Sequence, residues 1–188
     1  RPIRLVDRSK GIARGLVCAG LFNQPGGAYD LINGGRFSGT PGVGGLVLPS
    51  ISSGAWHNKT LSAYTVCLWH GGFTFSSWGG VVASSDGTNR WVIQRYSTTT
   101  TMRVYHNATS HNFTDFTTDD CALAGMLVLR WARNWCHAFY EAENIGSAGH
   151  AVAPGSTVTS TLGFGNATVY QALVYCRALS DAEIIRLH

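Results

Sequence analysis

From Ala63 onward the chain repeats one pattern: short runs of β-branched, aromatic and other apolar residues, each cut off by glycine, serine, aspartate or asparagine. AYTVCLWHGGF, WGGVVAS, NRWVIQRY and TMRVYH follow one another in this way, and ALAGMLVLRWA, WCHAFYEAE, TVTSTLGFG and TVYQALVYC continue it. With ARGLVCAGLF and LVLPS nearer the start, this predicts about ten to twelve strands with turn signals every eight to twelve residues, the spacing of an antiparallel sandwich rather than of βαβ units. Ser84 to Asn89 offers an Asp-Gly hairpin turn, because these residues tolerate the positive φ angles that tight turns demand. Arg133-Asn134 is a second tight turn, between ALAGMLVLRWA and WCHAFYEAE. The glycine-dense segment Asn33 to Gly45 reads as a long loop.

Composition agrees with an all-β chain. Only 13% of the 188 residues are charged, about half the usual quarter, while 45% are apolar, enough for one sizeable core. Helical bundles need more Glu, Lys and Arg. The net charge of +4 is concentrated at the start, where Arg1, Arg4, Arg8, Lys10 and Arg14 form a basic arm over residues 1–14, ahead of one domain over 15–188. Such an arm suits an acidic surface or nucleic acid, and reads equally as a solvated tail. No other basic cluster interleaves with aromatics, so no nucleic-acid groove is expected.

Cys18, Cys67, Cys121, Cys136 and Cys176 make an odd number without a CxxC pair or zinc spacing, and they read as buried thiols of a protein folding in a reducing compartment. Sequons at Asn58, Asn107, Asn112 and Asn166 are discounted in a chain so rich in threonine and asparagine. Gly15 to Phe22 is too short for a signal peptide, and the longest apolar run, Cys121 to Leu129, is far below the roughly twenty residues that span a bilayer.

The end of the chain breaks the β pattern. Ser180 is a good N-cap and Glu183 stands three residues on, which predicts a capping box and a short helix with Asp181 at its positive end. Ile184 and Leu187 then share a side. A helix this short needs a surface to lean on, and it is expected to plug an open edge of the core.

The ending LVYCRALSDAEIIRLH resembles the close of concanavalin A-like jelly rolls of the laminin G and pentraxin type. ARGLVCAGLFNQPGGAYDLINGGRFSGT is similar to that family's opening, AYTVCLWH to the strand before its inner sheet, and TLGFGNA to a characteristic turn. The resemblance runs from about Ala13 to His188 and implies a jelly-roll β-sandwich of two antiparallel sheets with a short C-terminal helix. Two surface turns depart from the pattern, with Arg133-Asn134 and Glu141-Ala142 where members often have Asp-Gly. The family leaves calcium open as a cofactor, but no cluster of Asp, Asn and Glu matches a ligand set here, so none is assigned. Arg14-Gly15-Leu16-Val17 and its glycine-rich sequel are also similar to versions encoded by bacteriophages near virion genes.

Reactive groups are scarce. Glycosidases on this fold use two flanking carboxylates; Glu141 and Glu143 in YEAEN share a face at i and i+2, but they stand alone near a predicted strand end and read as a solvated edge. His106 and His111 flank a turn without metal partners, and Asp119-Asp120 reads as a solvated loop pair. Cys136 and His137 should point to opposite faces, which excludes a thiol–imidazole pair. The glycine-dense stretch lacks GK[ST] and is no phosphate cradle. Binding remains. Trp56 and Trp78, beside glycine and serine, are the tryptophans expected at the surface, with Trp69, Trp91, Trp131 and Trp135 as core.

These observations lead to a non-catalytic structural or binding module, read first as a phage virion component decorating a capsid or tail. Its partners would be virion subunits or a surface glycan, engaged by Trp56, Trp78, Arg1, Arg4 and Arg8, with no nucleic acid or membrane and with homo-oligomerisation open. A carbohydrate-binding lectin domain, placed outside the cell, is the alternative, and a glycoside hydrolase comes third.

Overall fold

The computed structural model describes residues 11–22, 29–32, 34–42, 45–51, 59–60, 63–85, 90–106, 109–132, 134–149, 157–158, 161–165 and 167–188. A 3-10 turn, Gly11–Ala13, leads into β1 (Leu16–Leu21), β2 (Tyr29–Asp30), β3 (Ser38–Gly42), β4 (Gly45–Ile51), β5 (Lys59–Thr60) and β6 (Ala63–Phe73). The middle of the chain gives β7 (Gly80–Ser85), β8 (Arg90–Arg95), β9 (Thr101–His106), β10 (Thr109–Thr117), β11 (Gly125–Ala132) and β12 (Trp135–Tyr140). β13 (Glu143–Gly149), β14 (Thr157–Val158), β15 (Thr161–Phe164), β16 (Ala167–Tyr175) and α1 (Asp181–Leu187) complete it.

All pairings are antiparallel, as the alternating runs require. One layer is the seven-stranded sheet β2-β1-β16-β6-β11-β12-β13, and the other is the ladder β10-β9-β8-β7, extended by β15, β4 and β3. β16 joins them: Gln171 to Tyr175 pair with β1, whereas Thr168 and Val169 pair with β4. β5 and β14 form a separate ribbon. The expected two-sheet sandwich with one short terminal helix is therefore the observed architecture.

Three strand assignments differ from the sequence reading. Part of the glycine-dense segment is strand, Ser38–Gly42 being β3 and Gly45 opening β4, because glycine lets two backbones approach: a Cβ at Gly45 would stand 2.3 Å from the Val169 carbonyl oxygen. β10 is polar and escaped the pattern, since Phe113 and Phe116 are three apart; an irregularity between Asn112 and Thr117 turns both rings inward, edge to face at 5.1 Å. WCHAFYEAE is cut into β12 and the start of β13 by Glu141 and Ala142, both at positive φ (48° and 66°), with Tyr140 paired to Glu143 across the turn. The expected surface turn is thus present. The Asp-Gly turn between β7 and β8 lies outside the described residues, although Ser85 pairs with Arg90 across it.

Burial follows strand alternation. Val66, Leu68, Leu127, Leu129, Ala172 and Val174 meet Val82, Ile93, Met102 and Val104 in the core between the sheets. The intervening residues Cys67, Met126, Val128, Leu173 and Tyr175 face the other way, into a second cluster with Leu16, Phe139, Leu179 and Ile184. The helix therefore covers the outer face of the seven-stranded sheet instead of plugging an edge. The physical reason is that β6 and β11 are apolar at successive positions, so both of their faces must be shielded from water.

The cover is fastened by polar contacts. Ser180 and Glu183 form the capping box, and Arg177 donates to both Glu183 carboxylate oxygens at 2.6 and 2.8 Å. The same guanidinium donates to the carbonyls of Arg14 and Gly11, tying the helix to the 3-10 turn. Buried Thr65 accepts from Leu179 N–H and donates to the Arg177 carbonyl, each near 3.0 Å. Burying Ile184 adds roughly 1.5–3 kcal/mol. All five cysteines are free thiols, Cys176 half-buried and the rest buried.

Candidate functional site

Strands β6, β11, β12 and β16 begin or end at a common rim, marked by Phe73, Gly125, Tyr140 and Ala167. A cavity of about 360 Å³ opens there, walled by Trp69, His70, Gly125, Met126, Glu141, Tyr170, His188 and Ala124. This is the lower end of the volumes that small-molecule sites occupy, roughly 300–1,000 Å³.

Local irregularities in the strands build the wall. Val169 lies opposite His70 and Gln171 opposite Trp69, which leaves Tyr170 as an extra residue on β16. Such a bulge re-aims its side chain. The Tyr170 hydroxyl fills the space that a side chain at Gly71 would need, 2.4 Å from where its Cβ would lie. Gly125 has the same role on β11: a Cβ there would stand 2.4 Å from the Tyr140 hydroxyl and 2.5 Å from Glu141 Oε1.

The tight turn after β12 presents Glu141. Met126 N–H donates to Glu141 Oε1 at 2.5 Å, and His188 Nε2 lies 2.7 Å from Oε2. The Met126 hydrogen bond is the main reason that the carboxyl titrates below its ordinary range; partial burial opposes it, and His188 adds to the lowering. Glu141 is thus an ionised acceptor at neutral pH with lone pairs to spare.

His70, 1% exposed, accepts a hydrogen bond at Nδ1 from Gly72 N–H at 3.0 Å. The ring proton of the neutral form therefore sits on Nε2, which is buried without a hydrogen-bond partner among the described residues. Burial pushes His70 down to about 4, against the opposing pull of Glu141. Half-buried Trp69 stands opposite Met126 and packs on the outer-face cluster. The rim thus combines two aromatic residues, an ionised carboxylate and hydroxyl and imidazole groups, with neither lysine nor arginine among the described residues of its wall.

The residues singled out from sequence lie elsewhere. Trp78, on the loop before β7, is 50% exposed at φ 60°, its ring edge-on to Tyr96 at 5.3 Å. Arg103 stacks 3.6 Å above the Tyr96 ring and donates to Asn112 at 2.8 Å. Trp56, Arg1, Arg4 and Arg8 lie outside the described residues. Trp135, expected in the core, is 52% exposed, since it opens β12 directly after the turn. Trp131 is buried and stacks on Tyr64, Trp69 is at the rim, and the Trp91 side chain lies outside the described residues.

Among the acids, Glu143 is exposed on β13, and the turn separates it from Glu141, so the two are not a pair on one strand face. Glu141 is no simple solvated edge either. Asp120 organises a turn by accepting from Thr117 N–H and Oγ1, at 2.7 and 2.9 Å. Among the described residues no cluster of His, Cys, Asp and Glu could hold a metal. Cys136 is buried in the core while His137 is half-buried beside Trp135 and Phe139, as alternation requires. Trp69, His70 and Tyr170 were not foreseen, because they sit inside apolar runs that read as core; the available signal was HGG, His70 to Gly72, a break in a strand.

No family model matches the sequence, and no curated protein matches it. Solved structures do. Botulinum neurotoxin type C, in a structure concerned with cell entry through two ganglioside molecules, superposes with a TM-score of 0.67 at 10% identity, covering 92% of this chain and 50% of that one. The binding domain of botulinum neurotoxin DC, in complex with SialylT, gives 0.65 at 11% identity over 94% and 51%. A Trypanosoma rangeli sialidase mutant displaying trans-sialidase activity gives 0.60 at 15%, over 91% and 32%. The chain spans about half the length of the toxin chains it matches. At these identities the likeness is one of fold, the two-sheet jelly-roll sandwich expected from the sequence.

Proposed function

We propose that this domain is a non-catalytic carbohydrate-binding module that seats a glycan at the Trp69 rim. The observation that carries the reading is a pocket in which aromatic Trp69, on β6, and Tyr170, on the bulge of β16, stand beside the ionised Glu141 carboxylate of the tight turn after β12. Sugar rings offer apolar C–H faces to aromatic rings and hydroxyls to carboxylates, so this combination suits them. The wall contributes one carboxylate where glycoside hydrolysis ordinarily uses two, which favours binding over catalysis.

The superposed toxin structures, described with gangliosides and SialylT, favour the glycan reading over the virion one. Glycan-array retention followed by calorimetry tests it. Wild type should bind a subset of glycans, and Trp69→Ala should weaken binding about tenfold or more at unchanged folding. An array without retention, or release of reducing sugar from a bound glycan, sinks the reading.

A further inference from the structure

The charge of the rim carries the reading one step further. A ligand there meets Glu141, whose two oxygens are each engaged once, by Met126 N–H and by His188 Nε2. A carboxylate has about four acceptor sites, so each oxygen keeps room for a hydroxyl donor. Among the described residues, the remaining wall is uncharged or aromatic apart from the two histidines, and it holds no guanidinium or ammonium to receive an acid. Arginine, the residue best suited to grip a carboxylate, stands instead at the Trp78 side of the molecule, as Arg103 on Tyr96.

Resting on the glycan reading, we infer that the Trp69 rim selects a neutral terminal sugar, hexose or N-acetylhexosamine, and discriminates against sugars that bear a carboxylate. The sugar donates a hydroxyl proton to Glu141 while one face of its ring lies on Trp69. A sialic or uronic acid would bring a second negative charge near Glu141. Like charges a few ångströms apart cost about fivefold in affinity even at the dielectric of water, and more in a partly dry pocket.

The test is calorimetric titration of wild type, Glu141→Gln and Trp69→Ala with methyl hexosides, N-acetylhexosaminides and their uronic and sialic acid counterparts, at low salt, with thermal melting to confirm folding. Wild type should prefer neutral sugars about fivefold or more. Glu141→Gln keeps an acceptor for Met126 N–H but removes the charge, so the ratio should contract toward one. Trp69→Ala should lose both classes. Equal or tighter binding of the acids by wild type, lost in Trp69→Ala, overturns the inference and leaves the glycan reading standing. A neutral preference that Glu141→Gln leaves unchanged also overturns it. If none of these sugars binds and the glycan array is also blank, both readings fall.

Discussion

Two half-exposed tryptophan regions, the Trp69 rim and the Trp78 loop, show how differently one fold can hold an aromatic residue near solvent. At the Trp78 loop, backbone meets backbone. Gly165 packs so closely on β7 that a Cβ there would overlap the Gly80 carbonyl oxygen, and both Trp78 and Ser97 take left-handed φ, at 60° and 55°. Arg95 fixes that loop by donating to the carbonyls of Thr98, Thr99 and Phe75. At the Trp69 rim Gly72 also meets backbone, the Ala122 carbonyl oxygen, but Gly71 and Gly125 face side-chain tips, the hydroxyls of Tyr170 and Tyr140 and the carboxylate of Glu141. Side-chain tips can move aside and backbone cannot, so the packing at Gly71 and Gly125 can yield where that at Gly165 cannot. Their charges also differ, with guanidinium at one and carboxylate at the other.

Substitutions should separate the two. Gly165→Ala forces backbone against backbone and is expected to cost about 3 kcal/mol or more in urea unfolding. Gly125→Ala should cost less, about 1–2 kcal/mol, because Tyr140 and Glu141 can swing away, yet it should abolish glycan retention as the wall loses its shape. Equal stability losses would remove the distinction drawn between the regions.

Acid should act on the Trp69 rim first. His70 is held neutral, with its titration lowered from 6.5 to about 4, so its contribution is complete above pH 6.5 and is lost as pH falls toward 4. The loss is of the order of 3 kcal/mol for a shift of this size. His70→Asn, which keeps an acceptor for Gly72 N–H, should flatten the stability curve between pH 6.5 and 4. Glu183 comes next: its hydrogen bond with Arg177 lowers it to about 2, so its contribution is present above pH 4.5 and disappears on approach to pH 2. Arg177→Ala should remove that second phase and cost about 1–3 kcal/mol at pH 7, read by chemical denaturation. The smallest effect is expected at the other region, where Ser97→Gly should gain up to about 1 kcal/mol by relieving a left-handed conformation.

Much of the fold was legible. AYTVCLWHGGF is β6 residue for residue, and Ser180 and Glu183 announced the helix cap, because period-two alternation and capping chemistry are local. The Trp69 rim was not. Trp69 lies in a run indistinguishable from core, Tyr170 is displaced by a bulge that no spacing in its own strand reveals, and Glu141 meets Met126 of β11 and His188 at the end of α1 only in the folded chain. Trp78, by contrast, announced its exposure through its glycine and serine neighbours, and it stands at half exposure.

The sequence by itself determined that this chain pairs antiparallel strands into a sandwich and ends in a capped helical turn, since each follows from neighbours within a few residues. Tertiary structure alone decided that the helix would cover an outer face and that two glycines would leave room for a tyrosine and a glutamate from other strands. Those outcomes depend on which strands lie side by side, and space left by a missing Cβ acquires chemical meaning only when a distant residue fills it.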